Sequence, residues 1–325
     1  MQWNIFNSRN INGFTFVPVT FPMNQPDALL IEDLKLQQLI DYINSKKIKK
    51  AYIQEMSNFD FIGNCPTLEH VAIELSLPFC ELKSTQKKGN KFYKEYSLQS
   101  LYLLPHLKSL HIINNERPDV QAKIQIDLNE FEELMMYAGN YSYIMNIEKT
   151  NSLKTLVLDK YLKCDLTELS NLKKLDTLQL TFSKLQTLNG IENLNNLQCL
   201  YVNYNRLLQD ISALRHVKST LKALRIENCS KIEDFSVLSE LDNLELLELS
   251  GSNVLPSLDF MKTMKNLKTF VFNMNVLDGD LSPCMELSYS YSEKDRKHYN
   301  YKDKDLPKSK YFRGNEDIEE WRRLE

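Results

Sequence analysis

One apolar pattern runs through the second half of the chain. Leu153-x-x-Leu156-x-Leu158 recurs as Leu175-x-x-Leu178-x-Leu180, Leu197-x-x-Leu200-x-Val202, Leu221-x-x-Leu224-x-Ile226, Leu244-x-x-Leu247-x-Leu249 and Leu267-x-x-Phe270-x-Phe272. Successive starts are separated by 22, 22, 24, 23 and 23 residues. Within each copy the apolar residues alternate with polar ones, which predicts a short strand with its leucines inward and the intervening residues outward. Between copies a second spacing appears, as in Leu166, Leu169, Leu172 and in Leu188, Ile191, Leu194. Apolar residues three apart suit a 3₁₀ or short α segment that turns one side to a core. One such unit cannot bury its own apolar face, whereas stacked copies bury a shared one.

The first half follows the same rhythm less regularly. Leu107-x-x-Leu110-x-Ile112 is a clean start, Leu68-x-x-Val71-x-Ile73 a weaker one, and Ile48-x-x-Ala51-x-Ile53 weaker still. The interval from Leu107 to Leu153 is two periods long, so an irregular copy is expected around Ile124 and Ile126, followed by a helical stretch from Phe131 to Ile147. The Lys-rich segment from Lys83 to Lys94 reads as an exposed insertion. The run Ile11 to Phe21 reads as a strand or hairpin, and Asp27 as the cap of a helix carrying Leu30, Leu34, Ile40 and Ile43. Four segments follow: an α+β cap over 1–47, irregular repeats with an insertion near 83–100 over 48–150, regular repeats over 151–280, and a C-terminal cap and tail over 281–325. The tail, rich in tyrosine and mixed charge, is expected to pack partly across the end of the repeats, with a short amphipathic helix from Asp317 to Leu324.

The eighth residue after each repeat start reads Tyr161, Ser183, Asn205, Cys229, Ser252 and Asn275. Asn, Ser and Cys are suited to bonding turn backbone that the strand leaves unpaired. With this column and its period, the chain resembles the leucine-rich repeat family, and its 22-residue step looks most like the internalin-type repeats of bacteria. The resemblance implies an α/β fold: a curved solenoid with a parallel β-sheet on its concave face and short helical or 3₁₀ segments on its convex face. Tyr161 departs from the pattern, which predicts a distorted first turn. The resemblance also implies the generic role of the family, recognition of another protein through the concave sheet.

Composition narrows the remaining possibilities. The 325 residues are 42% hydrophobic and 26% charged, with a net charge of −3. Leucine supplies about one residue in six. A near-neutral balance argues against a dedicated nucleic-acid binder. The tail does interleave tyrosines with basic residues, but its charges nearly cancel, so no stripe for a phosphate backbone survives. No stretch reaches the roughly 18 apolar residues of a membrane span. The six cysteines form neither a disulfide framework nor a metal pattern. The first ten residues lack a basic segment followed by an apolar one, so a cytoplasmic location is the expectation; unpaired cysteines fit a reducing compartment, and a monomer is the default.

Searching for chemistry returns little. No phosphate-cradling or nucleophile-elbow motif occurs. The histidines His70, His106, His111, His216 and His298 form no ligand spacing. No catalytic, cofactor or metal residue is therefore assigned. Cys229 falls on the turn column, and Cys199, projected outward from its strand, is expected to be the most reactive thiol. About 45 residues follow the last regular repeat, too few for the catalytic domain of the bacterial leucine-rich-repeat ubiquitin ligases. What remains are the residues that the repeat turns outward: Gln179, Phe182, Tyr201, Asn203, Tyr204, Arg225, Glu227 and Glu248. With strands about 4.8 Å apart, they cluster on adjacent copies, and Tyr and Arg are enriched where proteins bind one another. The expected function is a non-catalytic scaffold that binds a protein partner through this face. The alternatives are self-assembly and, last because no motif supports it, an enzyme with its site in residues 1–150.

Overall fold

The computed structural model describes residues 9–11, 13–17, 28–32, 35–54, 56, 58–75, 92–114 and 120–310. The chain divides into two compact units, residues 1–153 and 154–325.

The strands of the first unit are β1 (Arg9–Ile11), β2 (Phe14–Val17), β3 (Ala28–Ile31), β4 (Lys50–Ile53), β5 (His70–Leu75), β6 (Phe92–Glu95), β7 (Ser109–Asn114), β8 (Val120–Lys123), β9 (Ile126–Asp127), β10 (Met136–Asn140) and β11 (Ile144–Met145). Its one α-helix among the described residues is α1 (Leu36–Lys46). β1 and β2 form the expected hairpin, turning at Gly13 in the left-handed region (φ 83°). β2 pairs antiparallel with β3, and from β3 onward β4, β5, β7 and β10 add in parallel. The two weakest sequence copies are thus genuine strands, with Ala51, Ile53, Val71 and Ile73 all buried.

Two local expectations are corrected here. Leu30 lies in a strand, not a helix, because Ala28, Leu29 and Ile31 bury themselves between β2 and β4. The helix starts only at Leu36 and buries Leu39, Ile40 and Ile43; Asp27 and Leu34 lie outside the described residues. Nor is the stretch from Phe131 to Ile147 helical. It holds β10, a 3₁₀ turn at Tyr141–Tyr143 and β11. The missing copy is Leu134-x-x-Tyr137-x-Gly139, its leucine and tyrosine fully buried. At Gly139 a Cβ would meet the Tyr137 hydroxyl at 2.6 Å, so the tyrosine ring occupies the room of the third leucine. The segment around Ile126 instead pairs with β11 in a two-stranded sheet. Of the Lys-rich insertion, residues 83–91 lie outside the described residues, and β6 pairs in parallel with β8.

The second unit contains β12 (Thr155–Asp159), β13 (Thr177–Thr181), β14 (Cys199–Asn203), β15 (Ala223–Glu227), β16 (Leu246–Ser250), β17 (Val254–Leu255), β18 (Thr269–Phe272), β19 (Asn275–Val276) and β20 (Tyr289–Ser292). β12, β13, β14, β15, β16, β18 and β20 form one parallel run in that order. Every repeat leucine of β12 to β16 is fully buried, as are Phe270 and Phe272. The connections are 3₁₀ segments, including Thr167–Leu169, Ile191–Asn193 and Ser212–Val217, each with an apolar residue turned inward. An aspartate two residues upstream opens several of them: Asp210 accepts from Ser212 N at 2.8 Å and Asp234 from Ser236 N at 2.8 Å. This is the parallel strand, turn and 3₁₀ architecture of a leucine-rich repeat, as the sequence implied.

The tail holds one more copy than expected. β20 pairs with β18, and Ser290 and Ser292 occupy the buried positions where earlier copies have leucines. The chain then folds back, with a Tyr289–Lys308 antiparallel bridge. Asp317 to Leu324 lie outside the described residues.

Candidate functional site

The face of the second unit's sheet turned away from the leucine core is ordered by the strand register. One row reads Val157, Gln179, Tyr201, Arg225, Glu248, Val271 and Tyr291 across successive strands. A second begins Asp159, Thr181, Asn203, Glu227 and Ser250. A third stands where each strand turns: Lys160, Phe182, Tyr204 and Asn228, with φ of 57°, 54°, 55° and 53°. Each of these four donates its N–H to the next strand, as Phe182 N does to Asn203 O (3.1 Å) and Tyr204 N to Glu227 O (2.8 Å). The regular φ at Lys160 corrects the expected distortion at Tyr161. That ring is fully buried while its turn keeps the common backbone.

All eight predicted residues fall on these three rows, but they are not equivalent. Phe182 is 57% exposed and stacks on Tyr204, ring centroids 5.0 Å apart and planes 29° apart. Tyr201 is only 6% exposed, because the Arg225 guanidinium lies over its ring, 4.7 Å from the centroid. Arg225 also pairs with Glu248, Nε to Oε2 at 3.2 Å. Burial raises the Glu248 carboxyl above its ordinary pKa; Arg225 opposes that shift, and the neighbouring Glu227 and Glu293 add to it. Gln179, Asn203 and Glu227 are half-buried, and Glu227 accepts from Asn228 Nδ2 at 3.2 Å. Free contact area therefore centres on Phe182 and Tyr204 rather than on the Tyr201–Arg225 pair.

The outward projection of Cys199 fails. Thr177, Cys199, Ala223, Leu246 and Thr269 start their strands and are buried, with Cys199, Tyr201, Ala223 and Leu246 forming one apolar cluster. Cys199 is thus the wrong thiol; Cys164 is the exposed one among the described free cysteines. Met274 is buried as well.

Beneath the turns runs the predicted polar column. Asn205, fully buried, accepts from Ser183 N (2.9 Å) and donates to Leu180 O (2.9 Å) and Asn203 O (3.0 Å). Cys229 Sγ donates to Val202 O at 3.4 Å. In the next repeat the role passes to Asn253, not Ser252, since one extra residue has entered the turn; Asn253 Nδ2 donates to Cys229 O and Ile232 O. The last turn uses a residue that spacing did not point to. Tyr299 Oη accepts from Val276 N (3.1 Å) and donates to Met274 O (3.2 Å). A second asparagine column also went unread: Asn196, Asn243 and Asn266, each just before a repeat leucine, donate to Lys173 O, Ser219 O and Asp242 O one repeat back.

In the first unit, titratable groups do converge on the corresponding sheet face. His70 Nδ1 lies 2.8 Å from Ser109 Oγ, and Tyr52 bonds Glu74. Burial, with help from Lys50, pushes His70 down to about 4, and burial pushes His111 down to about 3. A base that weak draws a proton from serine poorly, so the pair reads as packing. No group of potential metal ligands occurs among the described residues, and no helix there is long and apolar enough to cross a membrane.

No family model matches this chain, and neither does any curated protein. Solved structures of leucine-rich repeat proteins do. They include an internalin, InlF, from Listeria monocytogenes, at 15% identity over 78% of this chain and 64% of that one, with a TM-score of 0.44. Internalin C2 of the same organism matches at 26% identity over 45% and 64%, with a TM-score of 0.39. TLR13, solved as a complex with ssRNA13, matches at 16% over 74% and 46%, with a TM-score of 0.46. The chain spans less than two thirds of the length of each.

Proposed function

We infer that this chain is a non-catalytic scaffold that binds a protein partner through the outward sheet face of its second unit. The observation that carries the reading is the Phe182–Tyr204 stack. Two aromatic rings are held outward by a left-handed backbone, a conformation costing about 1–2 kcal/mol per non-glycine residue. Lys160 and Asn228 share this backbone, so the turn belongs to the repeat, and what sets these two copies apart is the aromatic surface they present, with Phe182 57% exposed. Tyrosine-rich, half-polar surfaces of this kind suit a folded protein surface. A cytoplasmic location belongs to the same reading and rests on the isolated spacing of the cysteines.

The test is capture from a lysate of the source organism with wild type, a Phe182→Ala/Tyr204→Ala variant and a Lys173→Ala/Glu192→Ala variant on the connecting segments, after circular dichroism has matched the three. A protein held by wild type and the last variant, but lost by the aromatic one, supports the reading. A protein held by all three moves the interface elsewhere. Self-assembly is distinguished by concentration-dependent mass in light scattering.

A further inference from the structure

The third row of the face changes character at Gly251. Lys160, Phe182, Tyr204 and Asn228 each carry a side chain there, whereas Gly251 carries none and adopts φ 142°. Its N–H donates to the Asn273 side chain (Oδ1, 2.7 Å), where the earlier turns use a backbone carbonyl. The same turn holds the extra residue that displaced the polar column onto Asn253. A Cβ at Gly251 would lie 3.3 Å from Asn228 and from Asn253 Oδ1, so the backbone there is closely backed.

This break in the repeat coincides with a cavity of about 350 Å³ lined by Gly251, Ser252, Asn273, Glu293, Lys294 and Arg296. Regularity tends to fail where a sequence serves something other than packing. Besides the Asn273 amide, whose Nδ2 is spent on Glu293, three lining side chains are donors: the Ser252 hydroxyl, the Lys294 ammonium and the Arg296 guanidinium. Arg296 is anchored by Nη2 on Asn273 O at 3.2 Å, while its buried Nε–H meets no acceptor among the described residues. Leaving a charged donor buried and unbonded is costly, which favours an external acceptor. The acidic member, Glu293, has Oε2 taken up by Asn273 Nδ2 at 2.7 Å.

We propose that this cavity is a binding site for a small oxyanion of the phosphate or carboxylate class, held by Arg296 and Lys294 with Ser252 as a third donor. The anion accepts the Arg296 Nε–H, and Lys294 supplies the second positive charge. The site stands apart from the protein-binding reading: it is tested with inorganic ions, and its failure leaves the Phe182–Tyr204 interface untouched.

The experiment is calorimetric titration of the full chain with sodium phosphate, sodium acetate and a phosphoserine-containing hexapeptide, at ionic strength fixed with sodium chloride. Wild type is compared with Lys294→Gln, Arg296→Gln, and Lys265→Gln as an exposed control away from the cavity. Expected is saturable binding of at least one oxyanion, weakened at least tenfold by Lys294→Gln and unchanged by Lys265→Gln. Phosphate alone points to a free ion, and tighter binding of the peptide points to a phosphorylated partner; acetate alone points to a carboxylate. Because Arg296 also braces Asn273, Arg296→Gln is read only where its melting temperature stays within a few degrees of wild type, and Lys294→Gln stands alone otherwise. No saturable binding, or equal binding by wild type and Lys294→Gln, overturns the proposal.

Discussion

Phe182 and Tyr204, 22 residues apart in sequence, stack at 5.0 Å while both backbones sit in the left-handed region. Two effects oppose each other there. The stack contributes about 0.5–1.5 kcal/mol, and each left-handed non-glycine costs about 1–2 kcal/mol. Strain wins by a small margin, so Phe182→Gly is expected to leave stability unchanged or raise it slightly, whereas Phe182→Ala, which keeps the strain and loses the ring, lowers it by about 1 kcal/mol. Urea denaturation of the two variants checks this. A glycine variant less stable than the alanine one would mean that the left-handed backbone at residue 182 costs less than the added freedom glycine gives the unfolded chain.

Asn205 is the clearest structural residue of the repeat. Its three hydrogen bonds take up the Ser183 N–H, Leu180 O and Asn203 O, the last of which also accepts from Phe182 N. Asn205→Leu keeps the branched shape but takes away the partner of Ser183 N and the side-chain donor to the two carbonyls, at about 1–3 kcal/mol for each buried group left unbonded. The expected loss is about 3 kcal/mol, against less than about 1 kcal/mol for the exposed Asn196→Ala. Tyr299→Phe, which removes two bonds at the last turn, falls between them at about 2 kcal/mol. Chemical denaturation monitored by circular dichroism ranks the three.

The contrast between Asn205 and Tyr299 shows what was legible in the sequence. Asn205 sits at a fixed offset from a strand, and periodicity finds it. Tyr299 reaches the same kind of turn from a segment folded back over the end, a relation set by tertiary packing that no offset encodes. Leu134-x-x-Tyr137-x-Gly139 hid for a related reason, since a tyrosine ring fills a neighbour's place and erases the leucine. The outward rows were legible because register follows from the repeat. Exposure within them was not, because the fate of Cys199 or Tyr201 depends on the residues one repeat away. The Gly251 cavity was invisible until the extra residue in its turn could be seen displacing the polar column.

Acid lability is expected to begin in the first unit. Burial holds His70 down to about 4 and His111 down to about 3, so both are neutral in the folded chain. The unfolded chain protonates them near 6.5. Stability from these groups is therefore complete above pH 6.5 and declines as pH falls toward 4, by up to about 2 kcal/mol per histidine at pH 5. Glu69, held down to about 2 chiefly by its bonds to Lys108 and Lys49, acts in a lower window: its contribution is present above about 4.5 and lost toward 2. Protection factors in the first unit, taken relative to the intrinsic exchange rate at each pH, are expected to fall between pH 7 and 5, and His111→Gln is expected to flatten that slope while Glu69→Gln leaves it unchanged. A slope insensitive to His111→Gln would assign the lability to other groups.

The thiols give a test of burial that needs no partner. Cys199 begins a strand on the open side of the sheet, yet Tyr201, Ala223 and Leu246 close over it. Cys65, Cys229 and Cys284 are buried too, and burial pushes each thiol up to about 11, which removes nearly all thiolate at neutral pH. Cys164 lies in an exposed connection. Labelling the native chain with iodoacetamide at pH 7.5 and mapping modified peptides by mass spectrometry is therefore expected to mark Cys164 at least tenfold faster than Cys65, Cys199, Cys229 and Cys284. In urea above the unfolding midpoint the five rates converge, since sequence neighbours alone distinguish them. Fast native labelling at Cys199 would mean that the Tyr201–Arg225 cover opens readily. The same experiment on Arg225→Ala isolates that cover, because removing the guanidinium over the Tyr201 ring is expected to raise the Cys199 rate and leave Cys229 unchanged.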